Sequence, residues 1–283
     1  MTMKIEVFIP AYRCRNTLPK TLASLAAQTD SDFSVCVVDD RGEEPLEDIC
    51  ARFSMLRLRL VRNPENLGCG LSRQTAIDTS DADYLIPLDS DDMLLPMAIQ
   101  IFRNHALAHP DVDFFVGYVF SEISDGSGGA GYTLLRDGYT LVSGKMYRAE
   151  FLKRYGIRNC PEFSRFADDT YINMLSYELG KTQMIPIPLY LYTCNPDSVT
   201  NRNGGRDYWT DVVPKFLRCI EATSRIICKY KQADDIAHLE NTLPYIRNVV
   251  EKRGAFGEIA AYNTMLDSLK TMGRTLGLEE AYL

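Results

Sequence analysis

Residues 33–38, with the sequence FSVCVV, form an almost entirely apolar run that stops at Asp39 and Asp40. Such a run predicts a strand that is buried on both faces, because a strand with one face in water alternates apolar with polar residues. Sheets that are covered on both faces are built mainly from parallel strands joined by helices. The run therefore predicts an α/β fold in which helices flank a mostly parallel sheet.

The first half of the chain alternates strands of this kind with amphipathic helices. We predict strands at 4–9, 33–38, 56–61, 84–88 and 112–120, and helices from Asn16 or Thr17 to Thr29, over 70–79 and over 93–108. This order implies right-handed crossovers between parallel strands. Because ligands of such sheets bind beyond the carboxyl ends of the strands, we expect a functional site at that edge.

The second half is less regular and ends in a helical region. A Gly-rich segment at 124–131 predicts a loop, and it is followed by a strand, two helices and a strand at 140–146, 147–155, 168–179 and 183–193. Long helices are predicted at 207–231, 234–253 and 256–276. We therefore expect one domain over 1–205 and a helical C-terminal region over 206–283. The apolar stripes of that region suit packing on the first domain or self-association into a homo-oligomer.

Composition narrows the classes of function. The 31 basic residues against 38 acidic ones leave a net charge of −7, which disfavours nucleic acid as the partner or acceptor. No apolar run approaches the ~20 residues of a membrane span, and the first residues lack a signal-peptide pattern. The 8 cysteines include no Cys-x-x-Cys pair, which disfavours a zinc site and a disulfide framework. We expect a cytoplasmic protein with no membrane span.

Acidic side chains follow two of the predicted strands. Asp39 and Asp40 end one strand, and Asp89, Asp91 and Asp92 follow another. Neighbouring carboxylates repel one another unless a cation lies between them, and oxygen ligands without nearby His or Cys suit Mg²⁺ or Mn²⁺. These ions take one or two carboxylates and complete their shell with water and substrate phosphates. The alternative is that the acidic residues only form solvated turns or cap the next helix.

A glycine-containing turn precedes the helix predicted at 70–79. From Asn66 to Arg73 the sequence is NLGCGLSR, and the backbone N–H groups of such a turn can bind an anion. It is not a dinucleotide-binding motif, because the third glycine and the later acidic residue are missing. The alternative is that Gly68 and Gly70 only shape a turn.

Taken in order, these segments resemble the nucleotide-binding half of the family 2 glycosyltransferases, whose fold is of the GT-A type. The resemblance covers residues 4–96 element by element and extends more loosely to about 203. It implies an inverting, metal-dependent transfer of a sugar from a nucleotide sugar, with a UDP-linked donor favoured. It also implies a nucleotide-sugar-binding half at 1–110 and an acceptor-binding half at 111–205.

The resemblance assigns the donor to named side chains. The residues expected to contact the nucleoside or the phosphates are Pro10, Ala11, Tyr12, Asp40, Asn66 and Arg73, with Asp40 on the uracil. Asp89 would lie near the ribose, Ser90 would be a further donor contact, and Asp91, with Asp89, would hold Mn²⁺ or Mg²⁺ on the diphosphate. Ser198 and Thr200 would face the diphosphate from the other side. Thr193 and Cys194 stand where the family usually has an Arg or His, and Arg202 or Arg206 could substitute.

An acidic pair resembles the catalytic motif of the same family. Asp169 stands in the position of the catalytic base, and Asp168 replaces the usual Glu. Inversion requires a carboxylate that takes the proton of the acceptor hydroxyl as the new bond develops. The alternative is that both residues merely cap the helix predicted at 168–179.

The acceptor is less defined by the sequence. Residues 136–165 carry seven Lys or Arg against three acids, which suits a phosphorylated or otherwise anionic glycan or a lipid-linked acceptor of cell-surface polysaccharide biosynthesis. A solvated basic face accounts for the same composition. Two other functions stay open at this point: a nucleotidyltransferase, which would release pyrophosphate, and a non-catalytic glycan-binding or assembly module.

Overall fold

The computed structural model describes residues 3–42, 44–124, 130–136, 142–159, 161–165, 168–193, 195 and 223. The chain divides into two units, Met1–Asn201 and Arg202–Leu283, and every element below belongs to the first. The helices predicted at 207–231, 234–253 and 256–276 lie outside the described residues. So do Ser198, Thr200 and any self-association through 206–283.

The described part of the first unit contains nine strands and six α-helices. The strands are β1 Ile5–Ala11, β2 Ser34–Asp39, β3 Arg57–Arg62, β4 Tyr84–Pro87, β5 Met93–Leu94, β6 Phe114–Ser124, β7 Ala130–Leu135, β8 Lys145–Arg148 and β9 Thr182–Tyr192. The helices are α1 Leu18–Ala26, α2 Glu47–Ala51, α3 Cys69–Asp78, α4 Ala98–Ala108, α5 Ala149–Tyr155 and α6 Asp168–Leu179. A short 3₁₀ helix covers Pro161–Phe163.

The strands form one sheet in the order β3-β2-β1-β4-β8-β6-β9-β5, and β7 pairs with β6. Strands β1 to β4 are parallel, as the sequence predicts, and β6 and β9 are also parallel to each other. Strand β8 runs antiparallel between β4 and β6, and β7 and β5 are antiparallel to their neighbours. The sheet is therefore parallel in its first half and mixed in its second.

Helices cover both faces of this sheet. On one face α1, α2 and α4 bury side chains such as Leu22, Ile49 and Phe102 against β1, β2 and β4. On the other face α3 contacts β1 and β2, while Phe114 of β6 stacks with Phe151 of α5 and meets Tyr177 of α6 edge to face. Burial on both sides is what the apolar sequence of β2 predicts. No described helix combines the length and the hydrophobicity that crossing a bilayer requires.

Two predicted elements differ from the structure. The helix predicted over 93–108 is a short strand, β5, followed by α4 from Ala98. Met93 and Leu94 pair with β9, and Pro96 disfavours helical backbone at the residue before it. The loop predicted over 124–131 includes the end of β6 and the beginning of β7, which pair with each other. Their pairing depends on a neighbouring strand, so the Gly-rich composition alone does not reveal it.

Candidate active site

The carboxyl ends of β1, β2 and β4 meet at one edge of the sheet, as the sequence predicts. The N–H of Asp40, just after β2, donates to the carbonyl of Ala11 at the end of β1 at 2.9 Å. Pro10 and Ala11 are buried within β1, whereas Tyr12 is 41% exposed. Tyr12 is therefore the member of this group whose side chain is open to a ligand.

Asp40 is buried and holds the turn that precedes α3. Its Oδ1 atom accepts hydrogen bonds from Asn63 Nδ2 and from the N–H of Leu67, both at 2.8 Å, and its Oδ2 accepts one from the N–H of Gly68 at 2.8 Å. These bonds fix the turn to the end of β2, a role that the sequence does not reveal. A bond from Asp40 to uracil stays a prediction, and Oδ2 keeps a lone pair for it.

The first amides of α3 are bonded to protein groups. The N–H of Gly70 donates to the carbonyl of Ser164 at 2.9 Å, and the N–H of Leu71 donates to the hydroxyl of Ser164 at 2.8 Å. That hydroxyl donates in turn to the carbonyl of Leu67 at 2.6 Å. Of the two interpretations of the glycine turn, anion binding does not apply to these two N–H groups, because Ser164 already occupies them.

Arg73 lies at the centre of an acidic cluster. Its Nη2 atom donates to Asp89 Oδ1 at 2.7 Å, and its Nη1 atom donates to the carboxylates of Asp168 and Asp169. The side chain is only 4% exposed. Among the described residues, no acceptor bonds to its buried Nε. The structure thus joins Arg73 to residues far away in sequence, while its contact with the donor stays a prediction.

One guanidinium does not neutralise three carboxylates. The pKa of Asp168 is raised to about 8, chiefly by burial and in addition by the charges of Asp169 and Asp89, while Arg73 opposes the rise. Asp169 is the more open of the acidic pair, with 27% of its side chain exposed against 12% for Asp168. Both lie in the first turn of α6, which begins where the sequence predicts. Asp169 is therefore the better placed of the two to meet an acceptor.

A second network holds the segment after β4. The hydroxyl of Tyr190 donates to Asp92 Oδ2 at 2.7 Å and accepts from the N–H of Asp89 at 3.2 Å. The N–H of Thr193 donates to Asp92 Oδ1 at 2.8 Å, and its hydroxyl donates to the carbonyl of Asp91. Asp92 therefore ties this segment to the end of β9 and is not the cap of α4, one of the alternatives for it. Thr193, where an Arg or His was expected, supports the backbone of Asp91.

The five carboxylates predicted to share this edge separate into different environments. Asp39 pairs with Arg62 at 2.8 Å, Asp40 binds the turn before α3, and Asp92 binds β9. Within the described ranges, no three side chains of His, Cys, Asp or Glu are arranged so that they could hold one metal ion together. This leaves Asp89 and Asp91 as the candidates for an ion.

Asp91 fits a metal ligand by its surroundings. Its Oδ2 atom accepts a hydrogen bond from Asn195 Nδ2 at 2.8 Å, and no Lys or Arg of the described ranges forms an ion pair with it. Burial raises the pKa of Asp91, and the charge of Asp89 adds to the effect. Two carboxylates match what Mg²⁺ or Mn²⁺ takes when substrate phosphates complete its shell. The residues present therefore fit the predicted ion.

The sequence missed Ser164 and Tyr190. Neither residue belongs to a spaced motif. Ser164 lies 93 residues from its partner Leu71, and Tyr190 lies 98 residues from its partner Asp92. The only signal in the sequence is position, since Ser164 precedes the acidic pair and Tyr190 ends a strand. Ser90 follows β4 between Asp89 and Asp91, and its contact with the donor stays a prediction.

The basic segment 136–165 is largely engaged within the protein. Arg148 donates to the carbonyl of Val112 and stacks on Tyr84, Arg158 pairs with Asp78, and Lys145 is fully buried. Other members also have protein partners: Arg154 pairs with Glu150, and Arg165 donates to the carbonyl of Asn66. Five of the seven basic side chains thus have partners within the protein, and two of them, Arg154 and Arg158, form ion pairs.

Comparison with known proteins identifies relatives of this arrangement. The sequence model of the family described as Glycosyl transferase family 2 matches residues 6–166. "Glycosyltransferase GlyA" of Streptococcus pneumoniae serotype 4 is 24% identical over 224 residues, which are 70% of this chain and 31% of that protein. "UDP-Glc:alpha-D-GlcNAc-diphosphoundecaprenol beta-1,3-glucosyltransferase WfaP" of Escherichia coli is 24% identical over 127 residues, 41% of this chain and 51% of that protein. The chain thus spans about a third of GlyA and half of WfaP.

A solved structure shares the fold. The crystal structure of S. aureus TarS 1-349 in complex with UDP-GlcNAc superposes with a TM-score of 0.64 at 19% sequence identity, over 78% of this chain and 66% of that chain. The predicted GT-A fold is confirmed.

Proposed function

We propose a function for this chain from the premise that it belongs to glycosyl transferase family 2, whose model matches residues 6–166. The proposed reaction moves a sugar from a UDP-linked donor to an acceptor hydroxyl, with inversion at the anomeric carbon and with bound Mn²⁺ or Mg²⁺. The observation that carries the proposal is the meeting of Asp89, from the segment after β4, with Asp168 and Asp169 of α6 around Arg73. Donor-side and acceptor-side carboxylates thus share one cluster.

The proposed nucleoside pocket lies at the ends of β1 and β2. Tyr12 offers an exposed ring beside Pro10 and Ala11, and Asp40 lies next to this group. Among the described residues, no donor reaches the buried Oδ1 atom of Asn66, and an unsatisfied buried acceptor is costly unless a ligand pairs with it. A donor group of the bound nucleotide would do so. TarS, which shares the fold, was crystallised with UDP-GlcNAc.

The proposed diphosphate site includes Asp89, Ser90 and Asp91, with Ser198 and Thr200 facing it. Asp91 and Asp89 would hold the divalent ion, which supplies Lewis-acid stabilisation of the departing diphosphate. The bonds from Thr193 and Tyr190 hold the backbone that carries both carboxylates. These bonds would hold the carboxylates of Asp89 and Asp91 in position for the ion.

Asp169 is proposed to act as the general base. As the acceptor oxygen bonds to the anomeric carbon, its proton passes to the Asp169 carboxylate, and the carbon–oxygen bond to the diphosphate breaks with its electron pair on UDP. Attack on the face opposite the leaving group inverts the anomeric configuration. The first turn of a helix favours the negative charge that a base needs. Asp168 is proposed to assist by anchoring Arg73.

The proposed acceptor is a glycan or a lipid-linked glycan of cell-surface polysaccharide biosynthesis. The printed name of WfaP describes transfer to a diphosphoundecaprenol-linked sugar. The basic segment 136–165 gives an anionic acceptor little support, because five of its seven basic side chains have partners within the chain. We further propose a cytoplasmic enzyme with a catalytic domain over 1–205, a helical region over 206–283, and a homo-oligomer formed through that region.

Two substitutions test this proposal. In titration calorimetry, Asp91→Asn should lose Mn²⁺-dependent binding of UDP, because one of two carboxylates for the ion is gone. Asp169→Asn should keep that binding and lose sugar transfer, because the base is gone while the donor site is intact. Donors are first identified by screening UDP-sugars for metal-dependent hydrolysis. Asp81→Asn is the control, since Asp81 is exposed and, within the described part of the chain, forms an ion pair with Lys4 alone, at the opposite end of the strands.

The proposal fails if the wild-type protein binds no UDP in the presence of Mn²⁺. It also fails if hydrolysis releases pyrophosphate, since that product indicates a nucleotidyltransferase. Normal transfer by Asp169→Asn would exclude Asp169 as the base.

A further inference from the structure

Ser164 connects the two halves of the candidate site. It follows the 3₁₀ helix Pro161–Phe163 and precedes α6, whose first residues are Asp168 and Asp169. Its side chain is buried, with 2% exposure. It therefore lies inside the protein, a few residues before the carboxylates of the acceptor side.

The partners of Ser164 belong to the donor side. Its hydroxyl accepts from the N–H of Leu71 and donates to the carbonyl of Leu67, and its own carbonyl accepts from the N–H of Gly70. One residue thus closes three hydrogen bonds to one turn. The next residue adds a fourth, from Arg165 Nη2 to the carbonyl of Asn66 at 2.6 Å.

The same turn is bonded on its other side to Asp40. The carboxylate of Asp40 accepts from the N–H groups of Leu67 and Gly68. The turn therefore lies between the proposed nucleoside contact and the segment that leads into α6. If either Asp40 or the segment that leads into α6 changed position, the hydrogen bonds of the turn would transmit the displacement to the other.

Two glycines allow this close contact. A Cβ atom on Gly68 would lie 2.8 Å from the carbonyl oxygen of Ser164, and one on Gly70 would lie 3.0 Å from the Cα of Ser164 and 2.8 Å from the Cβ of Asp168. Gly68 also has a φ of 87°, which side-chain-bearing residues rarely adopt. The glycines of the turn are therefore required by its packing against Ser164, Arg165 and Asp168.

We infer that Ser164 is a positioning residue for sugar transfer: it fixes the beginning of α6, and with it Asp169, at a set distance from the donor-side turn. This inference rests on the proposed function. The ion pairs of Arg73 hold the same carboxylates through a long side chain, whereas Ser164 holds the backbone that carries them. Misplacement of a reacting group by ~1 Å can lower a rate by about 100-fold, so a backbone anchor beside the base affects turnover more than donor binding.

Ser164→Ala tests the inference. The variant leaves the N–H of Leu71 and the carbonyl of Leu67 without their partner, and we expect kcat for transfer to fall by about 10-fold or more. The dissociation constant of UDP with Mn²⁺ should stay within about twofold, because Asp40 still holds the turn. Ser24→Ala is the matched control, since the Ser24 hydroxyl also links two backbone groups, the carbonyl of Thr21 and the N–H of Leu94.

Gly70→Ala provides an independent variant from the other side of the contact. Its added Cβ would press on Asp168 and Ser164 without removing any proposed donor contact, so it should reproduce the drop in kcat. Gly131→Ala is its control, because nothing lies within 4 Å of a Cβ there. Melting temperatures confirm that each variant is folded before its kinetics are read.

The inference is overturned if Ser164→Ala turns over as fast as Ser24→Ala. It is also overturned if UDP affinity falls as much as kcat, since Ser164 would then act through the donor pocket. If Ser164→Ala does not fold, unchanged turnover in Gly70→Ala would overturn it. Absence of UDP binding and transfer in the wild-type protein would instead refute the proposed function, and the inference with it.

Discussion

Arg73 Nη2 lies 2.7 Å from Asp89 Oδ1, which joins helix α3 to the segment that follows β4. The other terminal nitrogen of the same guanidinium bonds to Asp168 and Asp169 on α6. A planar, permanently charged fork can hold carboxylates in two directions at once, which a Lys ammonium does less well. Arg73 therefore sets the spacing between Asp89 and the two carboxylates of α6.

Removal of this cation should destabilise the protein in a pH-dependent way. Arg73→Gln leaves three neighbouring carboxylates without their counter-charge, and breaking a buried ion pair in this way costs about 3–5 kcal/mol. The loss should be larger at pH 8 than at pH 5, because protonation relieves the repulsion at lower pH. Urea unfolding of both proteins at the two pH values measures it. An equal loss at both would show that the cluster does not depend on charge.

Asp168 should make the wild-type protein less stable as the pH rises. Burial raises the pKa of Asp168 from 3.8 to about 8, so between these values the folded state holds a proton that the unfolded state has released. Stability then falls as pH increases through this window and levels off above about 8. Asp168→Asn cannot titrate and should flatten this dependence.

The measurement is the free energy of unfolding from pH 5 to 8.5 in the presence of a chelator. Asp81→Asn serves as the control, because Asp81 is exposed and its pKa is lowered by Lys4. If the free energy of unfolding of Asp168→Asn changes with pH as steeply as that of the wild type, the raised pKa of Asp168 is not the cause of the pH dependence.

Tyr190→Phe should weaken the ion site without removing a carboxylate. The substitution removes the hydroxyl that donates to Asp92 and accepts from the N–H of Asp89, whereas the bond from the N–H of Thr193 to Asp92 remains. Loss of a buried hydrogen-bond partner costs about 1–3 kcal/mol. We expect weaker Mn²⁺-dependent binding of UDP, measured by calorimetry. Tyr132→Phe, at an exposed position of β7, should bind as the wild type does, and equal binding by both variants would exclude this role for Tyr190.

A remote ion pair should separate stability from activity. Glu6 is buried on β1 and bonds to Arg59 of β3 through two contacts, at 2.8 and 3.0 Å, away from the carboxyl ends of the strands. Glu6→Ala leaves Arg59 without this carboxylate and should lower the free energy of unfolding by about 2 kcal/mol, less than for a fully buried pair. Turnover per folded molecule should not change. A parallel loss of kcat would show that the sheet transmits strain to its opposite edge.

The sequence predicts local and periodic features of this site well. The strand at 33–38 ends at Asp39 and Asp40 because an apolar run gives way to charge, and α6 begins at Asp168 as the sequence indicates. Because β1 and β2 are predicted to be parallel neighbours, the sequence alone also predicts that Ala11 and Asp40 lie side by side at the ends of these strands, as they do. These predictions depend only on neighbours in the chain or on sheet topology.

The missed features depend on contacts between distant segments. The bonds of Arg73 to Asp168 and Asp169, which lie 95 and 96 residues away, were not predicted, because no periodicity encodes the packing of α3 against α6. The sequence did not show whether the amides of the glycine turn bind an anion or the turn is only structural. In the folded chain, the N–H groups of Gly70 and Leu71 are bonded to Ser164. Ion pairing of Asp39 with Arg62 likewise required the register of β2 and β3.

Strand β9 leaves its first alignment with β6 before it reaches the site. Gly117 pairs with Ile185, but Val119 pairs with Tyr190, where an unbroken ladder would have given Ile187. Three residues of β9, Pro186, Ile187 and Leu189, have no partner in this ladder, and they shift the register by three positions so that the Tyr190 hydroxyl reaches Asp92. A chimera that replaces β9 with a regular strand of the same hydrophobicity would keep the sheet but change the register of the last residues of β9, so that Tyr190 would no longer lie beside Asp92. Any redesign of the scaffold must therefore keep this irregularity.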